Sequence, residues 1–272
     1  MLKDITLGQY YPGTSSLHKV DPRVKIILSL MYMTSVFVAK NIYSFGLIVL
    51  FTCGVIALSR ISFKVILKAV KPLIFIVAFT AIVNIFWTSG ETVIINLGFT
   101  KIYYEGVMYA VLMVVRIISL LAGTSVILTY TTTPIALTDG IERLLSPLKK
   151  IKLPVHEFAM MMTIALRFVP TLIEETDKIM GAQKARGADF TSGNLKNRAK
   201  SLVPILIPLF VSAFRRADDL AVAMECRCYR GGEGRTRMTV LKLTANDYIW
   251  LLVMVLFIVL IIFANMLKGF SL

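Results

Sequence analysis

Residues 248–267, YIWLLVMVLFIVLIIFANML, form an apolar segment without a charged side chain. A helix of about 20 mostly apolar residues is long enough to cross the hydrocarbon core of a bilayer. The segment therefore predicts a transmembrane helix, and it is the clearest one in the chain. The 272 residues are 57% hydrophobic, with a mean hydropathy of +0.75 and a net charge of +14. A soluble domain rarely combines such apolarity with such a charge, so we expect a polytopic membrane protein with basic cytoplasmic faces.

Four further apolar segments precede this one, at residues 24–39, 43–58, 72–88 and 106–130. Lys40 and Asn41 form a short turn between the first two, and Arg116 interrupts the fourth. We therefore predict an all-α polytopic membrane protein with about five transmembrane helices. The loop at residues 90–105 predicts a small external β-hairpin.

The distribution of Lys and Arg predicts the orientation, because these residues accumulate in cytoplasmic loops. Basic residues lie at or before the start of the first span and between the second and third spans: Lys3, Lys19, Arg23, Lys25, Arg60, Lys64, Lys68 and Lys71. The opposite loops hold only Lys40 and Lys101. We therefore expect a cytoplasmic N-terminus and, with five spans, a C-terminus on the outside.

The chain lacks the residue motifs that several classes of enzyme require for their chemistry. The chain has no phosphate-binding G-x-x-x-x-G-K-[ST] loop, no H-E-x-x-H and no G-x-S-x-G motif. Cys226 and Cys228 form C-x-C without a second ligand pair, so a zinc site is not expected, and Cys53 in an apolar run is expected to be a small core residue. The basic residues flank apolar runs and do not form a nucleic-acid-binding stripe. We predict a non-enzyme without cofactor, metal or nucleic-acid partner.

The middle of the chain contains two shorter apolar stretches. Residues 158–169 are interrupted by Arg167, and residues 202–214 contain Pro204 and Pro208. Each is close to the length of about 10–14 residues that is typical of a buried or interfacial helix. A further pair of spans would preserve the topology and stays an alternative, although the charged second half of each segment disfavours it. We predict three regions: a tail with four spans at 1–130, cytoplasmic helices at 131–245 and the final span at 246–272.

The two middle segments resemble each other at an offset of about 41 residues. This offset superposes Asp177 on Asp218, Ala182 on Ala223 and Arg186 on Arg227, with glycine soon after each Arg. Glycine after the last turn is a common stop signal of a helix. One interpretation is that each Arg complements the negative end of the helix dipole. The other is that a planar guanidinium, flanked by small residues at the first site, docks into a partner groove.

Several motifs resemble the transmembrane T component of energy-coupling factor (ECF) transporters. The resemblance covers nearly the whole chain and includes residues 8–25, GQYYPGTSSLHKVDPRVK, and the final span. The first Ala-Arg-Gly motif of that family is matched at Ala185, Arg186 and Gly187. The second is looser, and here its place is taken by Cys226, Arg227 and Cys228. The second triplet keeps the Arg but replaces both small flanks, so Arg230 is a rival for the second contact.

The resemblance implies an ATP-driven importer of vitamins or transition-metal ions in the plasma membrane of a prokaryote. The implied fold is all-α, with about five transmembrane helices and a cytoplasmic coupling domain of long crossed helices. Two cytoplasmic ATP-binding cassette ATPase subunits each have a groove that receives one Arg-tipped coupling helix. Closure of the ATPase pair moves the helices, and the motion reaches a separate membrane-embedded substrate-binding S subunit. The chain is then a scaffold without a catalytic or substrate pocket, and the residues from Ala185 to Gly187, from Cys226 to Cys228 and Arg230 are its candidate ATPase-docking residues.

A stand-alone secondary transporter or channel is the alternative, and an intramembrane enzyme is a more distant one. A secondary transporter is expected to carry acidic or polar groups at mid-membrane. The spans contain Arg116 and Asn84 but no Asp or Glu in their middle. Arg116 has two equal interpretations, a functional contact and a structural pairing. The Met-rich segment around Phe158 and Met161 is either ordinary core packing or an adaptable partner surface.

Overall fold

The apolar segments fold as helices that begin and end at the turn signals of the sequence. The computed structural model describes residues 10–90, 92–96, 101–151, 153–188, 195–231 and 241–267. Its α-helices are α1 (Pro22–Val38), α2 (Ile42–Ser59), α3 (Phe63–Val70), α4 (Ile74–Trp87), α5 (Tyr104–Thr124), α6 (Pro134–Leu144), α7 (Val155–Ala185), α8 (Leu195–Cys226) and α9 (Ala245–Met266). The described residues also form two strands, β1 (Val93–Asn96) and β2 (Lys101–Tyr103). They further include two 3₁₀ turns (Lys71–Leu73, Ser146–Ile151) and a π-helical turn (Ser125–Thr129).

Four helical segments of the described chain are long and apolar enough to cross a membrane. They are Ile42–Ser59, Phe63–Trp87, Tyr104–Thr129 and Ala245–Met266. The segment Phe63–Trp87 begins nine residues before the predicted third span, because α3, the 3₁₀ turn and α4 are continuous. Within the same described residues, α7 and α8 are not among the candidates, so the alternative of two extra spans receives no support.

The first helix, α1, has 17 residues and lies beside α9 along its whole length. At one end, the Asp21 N–H donates to Asp247 Oδ1 over 2.8 Å, and at the other, Asn265 Nδ2 donates to Val38 O over 2.9 Å. The two helices are therefore parallel and reach equally deep. Seventeen residues are about the minimum for a span. With α1, the prediction of about five transmembrane helices is confirmed.

The chain separates into two compact units. Of the described residues, those from 10 to 140 and from 241 to 267 form the membrane unit, and those from 141 to 231 form the two-helix unit. In the two-helix unit, α7 packs against α8. In the membrane unit, α5 packs against α1, α2 and α4, and α9 packs against α1 and α2.

Tyr32 lies at the centre of the membrane unit. Its hydroxyl is 2.7 Å from Thr52 Oγ1 of α2 and donates to Ser119 O of α5 over 2.8 Å. Its ring stacks on Phe51, which stacks on Phe257 of α9 with ring centroids 4.0 Å apart. Gly123 allows this close approach, because a Cβ on it would lie 2.3 Å from the Tyr32 ring. Tyr32 and Phe51 together therefore connect α1, α2, α5 and α9.

The segment between α4 and α5 is an antiparallel hairpin, as the sequence predicts. Val93 lies opposite Tyr103 and Asn96 opposite Lys101, with an irregular register between Val93 and Ile95. The prediction for Cys53 is wrong, since this residue is exposed on α2 and does not lie in the core. An apolar run does not distinguish a core-facing side chain from a lipid-facing one, because both environments exclude water.

Candidate docking site at two helix ends

Arg186 is the C-cap residue of α7, at the end of a closed hydrogen-bonded turn. The Gly187 N–H donates to Lys184 O and the Ala188 N–H donates to Gln183 O, both over 3.0 Å. Gly187 has a φ of +87°, in the left-handed region that glycine adopts without a steric penalty. These two bonds and the left-handed residue define a Schellman motif. The motif ends the helix directly after Ala185 and leaves the Arg186 side chain exposed.

The end of α8 has the same geometry at equivalent positions. The Cys228 N–H donates to Glu225 O over 2.8 Å and the Tyr229 N–H donates to Met224 O over 3.1 Å. Cys228 has a φ of +52°, so it takes the place of Gly187 in a second Schellman motif. Arg227 is the C-cap residue, as Arg186 is at the first end. The offset of 41 residues therefore relates two helix terminations with the same hydrogen-bond pattern.

The second termination differs from the first in one costly respect. A residue with a Cβ in the left-handed region costs roughly 1–2 kcal/mol, and a cysteine has no side-chain group that compensates as Asn does. The bond pattern is nevertheless complete at Cys228, so the closed turn does not depend on glycine. Two of the glycines that predict the helix ends, Gly193 and Gly232, lie outside the described residues. Gly231 is described and has a φ of +84°.

The candidate residues form two exposed groups. Ala185, Arg186 and Gly187 are exposed at the end of α7, and Cys226, Arg227 and Cys228 are exposed at the end of α8. Neither the Arg186 nor the Arg227 guanidinium hydrogen-bonds or ion-pairs with any part of the chain that the structure describes. Arg230 is also exposed, but it lies beyond the closed turn and is not a cap residue. The geometry therefore matches Arg227, and not Arg230, to Arg186.

An ion pair joins α7 and α8 at positions related by the same offset. Arg216 Nη2 of α8 donates to Glu175 Oε2 of α7 over 2.6 Å. Both side chains are partly exposed, at 31% for Arg216 and 22% for Glu175. Each lies eleven residues before the cap Arg of its own helix. At 1.5 Å per residue, both Arg tips are about 16 Å along their helices from this contact.

The apolar contact between the two helices follows rows of residues four apart. Ile164, Phe168 and Leu172 of α7 line a shared crevice with Ala213, Ala217 and Ala221 of α8, of about 270 Å³. Small residues on α8 let the larger row of α7 approach its backbone closely. Packing of such rows on each other is typical of helices that cross at about 50°. The pairing of large with small side chains is consistent with the predicted crossed helices.

Comparison with known proteins identifies the family. A family model, CbiQ, described as a cobalt transport protein, matches residues 13–240 and so includes both helix ends. The energy-coupling factor transporter transmembrane protein EcfT of Ruminiclostridium cellulolyticum is 59% identical over 91% of this chain and 92% of its own. The EcfT of Acidaminococcus fermentans is 52% identical over 97% of both chains, and that of Bacillus subtilis is 51% identical over 91% and 93%.

The chain belongs to the EcfT family. It is a T component, a multi-pass membrane scaffold subunit of an energy-coupling factor transporter. As a T component it works within a complex with other subunits. The resemblance inferred from the two Arg motifs and the opening segment is confirmed.

The opening segment of the T component anchors the N-terminal end of its membrane unit. Lys25 is 1% exposed, and its Nζ donates to His18 O and, over 2.7 Å, to Thr131 O. Asp247 is equally buried and accepts from the Asp21 N–H, while its second oxygen accepts from the Thr244 N–H over 2.6 Å. The sequence reasoning used Lys25 only as a topological charge and assigned no role to Asp247. The Thr-x-x-Asp spacing of a capping box was the available signal for Asp247.

Arg116 of the T component has partners within the membrane unit. Its Nη2 donates to Ala39 O over 2.7 Å, and its guanidinium carbon lies 5.1 Å from the centre of the Phe45 ring. Ala39 is the C-cap of α1, so Arg116 satisfies a carbonyl that the helix end leaves unbonded. Of the two interpretations of Arg116, these contacts favour structural pairing.

The T component exposes apolar side chains on both helices of its two-helix unit. On α7, Phe158 is 56% and Met161 58% exposed, so the Met-rich segment lies largely at the surface. On α8, Leu206, Phe210 and Phe214 repeat every fourth residue at 48%, 62% and 65% exposure. An exposed apolar row of this extent is typical of a surface that contacts protein or lipid. Core packing was the other interpretation of the Met-rich segment, and these exposures disfavour it.

Proposed function

We propose that this T component couples ATP hydrolysis by two partner ATPases to the movement of a separate S subunit, which binds a vitamin or a transition-metal ion. One observation carries the proposal: Arg186 and Arg227 are exposed cap residues of two helix terminations with the same hydrogen-bond pattern. Two equivalent helix ends are suited to two equivalent binding grooves. A pair of identical or similar ATPases provides two such grooves. In this proposal the ATPases perform all of the catalysis.

Docking at the tips rests on the chemistry of the Arg side chains. A guanidinium presents a rigid planar fork of N–H donors that binds a carboxylate through two parallel hydrogen bonds. Ala185 and Gly187 leave space for a partner surface beside Arg186, and Cys226 and Cys228 are the corresponding neighbours of Arg227. A groove with acidic residues on each ATPase is the complementary surface. Arg230 is the alternative donor at the second tip.

Force transmission rests on the contact between α7 and α8. The pair Glu175–Arg216 and the apolar rows beside it hold the two helices together about 16 Å from each tip. A change in the distance between the two ATPase grooves therefore moves the C-terminal segments of α7 and α8 about their common contact. The exposed apolar faces around Phe210 and Met161 are then the surfaces through which the motion reaches the S subunit.

The proposed orientation has the N-terminus in the cytoplasm and the C-terminus outside. It is supported by the lysines and arginines around the start of α1 and by Arg60, Lys64, Lys68 and Lys71, which extend from the end of α2 to the 3₁₀ turn after α3. Since α1 and α9 are parallel, the chain enters α9 from the same side as α1. The connection that contains α7 and α8 then lies on the cytoplasmic side, where ATP is available.

Co-purification and reconstitution test this proposal. The tagged chain, expressed with its neighbouring transporter subunits, should be isolated with two ATPases and one small membrane subunit. Liposomes with the complete complex should take up substrate only when ATP is present on the ATPase side. Uptake by the chain alone would contradict the proposal and would favour the stand-alone transporter.

A further inference from the structure

An apolar crevice opens beside α3 in the membrane unit. It has a volume of about 800 Å³ and is lined by side chains of α2, α3 and α5, including Val49, Cys53, Leu67 and Ile118. Lys68 and Lys71 also line it. The crevice therefore combines a largely apolar wall with two cationic side chains, which is the arrangement that an amphiphile requires.

Three lysines form a row along this side of the segment. Lys64, Lys68 and Lys71 are spaced at four and three residues, so they share one helical face. All three are exposed, and none forms a salt bridge with the described part of the chain. The sequence has no Asp or Glu between Asp21 and Glu91. Within the described residues, the row is therefore an exposed positive charge without an acidic partner, and an anion from outside the chain would complement it.

The length of the segment places this row at the depth of lipid headgroups. Phe63–Trp87 has 25 residues and extends about 37 Å, whereas the hydrocarbon core is about 30 Å thick. Trp87, 86% exposed, is suited to the interface at one end. The opposite interface then lies about 20 residues earlier, near Leu67. Lys64 lies beyond that level, and Lys68 and Lys71 reach it with their flexible side chains.

We propose that the crevice binds an acyl chain of an anionic phospholipid whose phosphate contacts Lys64, Lys68 and Lys71. The head and the tail of one molecule then occupy a cationic row and an apolar cavity that adjoin each other. A zwitterionic lipid would leave the net charge of the row uncompensated. The three lysines belong to the membrane unit, whereas Arg186 and Arg227 belong to the two-helix unit.

Photo-crosslinking of the purified full chain in lipid nanodiscs tests this site. The probe is phosphatidylglycerol with a diazirine in one acyl chain, diluted into phosphatidylcholine, and a phosphatidylcholine probe is the reference. We expect the anionic probe to label crevice residues of α2, α3 and α5. Replacement of all three lysines by glutamine should lower this labelling at least about tenfold, since each basic residue at the surface strengthens anionic-lipid binding several-fold.

Two further variants separate charge from cavity. The triple Lys→Arg variant keeps the charge and should keep the labelling. Ile118→Trp keeps the charge, fills the cavity and should lower the labelling, and if it does not fold, the two lysine variants still decide. A single symmetric elution peak and an unchanged melting temperature show that each variant is folded.

Four outcomes would overturn the proposal. Equal labelling by the two probes, or unchanged labelling after the Lys→Gln changes, would remove the anionic selectivity. Displacement of the probe by soluble glycerol 3-phosphate would assign a phosphate site and not a lipid site. Loss of the labelling in the assembled transporter would mean that a protein subunit covers the crevice.

Discussion

Arg216 of α8 donates a 2.6 Å hydrogen bond to Glu175 of α7, and each residue precedes the cap Arg of its helix by the same number of residues. The matched arginines are therefore not only similar in sequence. They terminate two arms of equal length that extend from one shared contact. The two helix ends are therefore equivalent in their distance from this contact.

The Arg tips should be required for docking. Arg186→Glu places a carboxylate against the proposed acidic groove, so ATPase binding and ATP-driven uptake should fall at least about tenfold. The double variant with Arg227→Glu should be worse than either single change. Binding is measured by pull-down of the ATPases and uptake with labelled substrate in liposomes.

Arg230→Glu is the matched control, since it makes the same charge change on an exposed residue outside the cap. It should have a smaller effect than Arg227→Glu. If Arg230→Glu is the more severe change, Arg230 is the second docking residue. Normal assembly and uptake of Arg186→Glu would remove Arg186 from the mechanism.

Replacement of Cys228, the left-handed residue of the second cap, by glycine should raise the stability of the closed turn. Cys228→Gly removes the Cβ from a residue with a φ of +52° and should stabilise the closed turn by about 1 kcal/mol. The reciprocal change Gly187→Cys should destabilise the first turn by a similar amount. Hydrogen exchange of the amides that close each turn, those of residues 228 and 187, measures both. Faster exchange in Cys228→Gly would show that the cysteine is not strained.

The pair Glu175–Arg216 should contribute modestly to stability, because both side chains are partly solvated. A double-mutant cycle with Glu175→Gln and Arg216→Met should give a coupling energy of about 0.5–1 kcal/mol. Thermal unfolding in detergent measures it. The exchange of the two residues, Glu175→Arg with Arg216→Glu, should restore uptake that each single reversal lowers. Failure of the exchanged pair with normal assembly would show that the positions are not equivalent.

Arg116 should be replaceable if its role is structural pairing. Arg116→Met loses the bond to Ala39 O but also removes a charge that costs at least about 2.5 kcal/mol within a membrane. These effects oppose each other, so uptake by the assembled complex should change less than about threefold. Arg116→Glu, which repels the Ala39 carbonyl, should prevent folding. Loss of uptake in an assembled Arg116→Met complex would instead assign Arg116 a functional contact.

Gly123 should not tolerate a side chain. Gly123→Ala would place a Cβ 2.3 Å from the Tyr32 ring, and overpacking of this kind costs about 1–3 kcal/mol. The melting temperature in detergent should fall accordingly. Gly54→Ala is the matched control within a span, because a Cβ there has no neighbour within 4 Å, and it should melt as the parent protein does. Equal melting of both variants would contradict the packing around Tyr32.

Local signals in the sequence were sufficient for the helices and for the family. The final span, the hairpin at residues 93–103 and the stop signals after Arg186 depend on neighbouring residues only, so they can be recognised from short segments. The same holds for the two helix ends that carry the candidate residues, because a cap is formed by consecutive residues. The capping box of α9 also has a local signal, the spacing of Thr244 and Asp247.

Features that depend on distant residues could not be predicted in this way. The direction in which Cys53 points, the partners of Lys25 and the contact of Arg116 with Ala39 each join segments far apart in the chain. In a membrane protein this difficulty is greater, since lipid-facing and core-facing residues are both apolar.

The sequence by itself determined that the chain is a polytopic helical membrane protein and a T component, and where its two Arg motifs lie. These properties follow from apolar length, basic loops and local motifs. Only the structure decided between Arg227 and its rival Arg230 as the equivalent of Arg186, because the sequence offset does not show the backbone hydrogen bonds and the left-handed residue of a Schellman motif. It also decided that α1 is parallel to α9 and that the two arms are equal, because both depend on contacts between residues far apart in sequence.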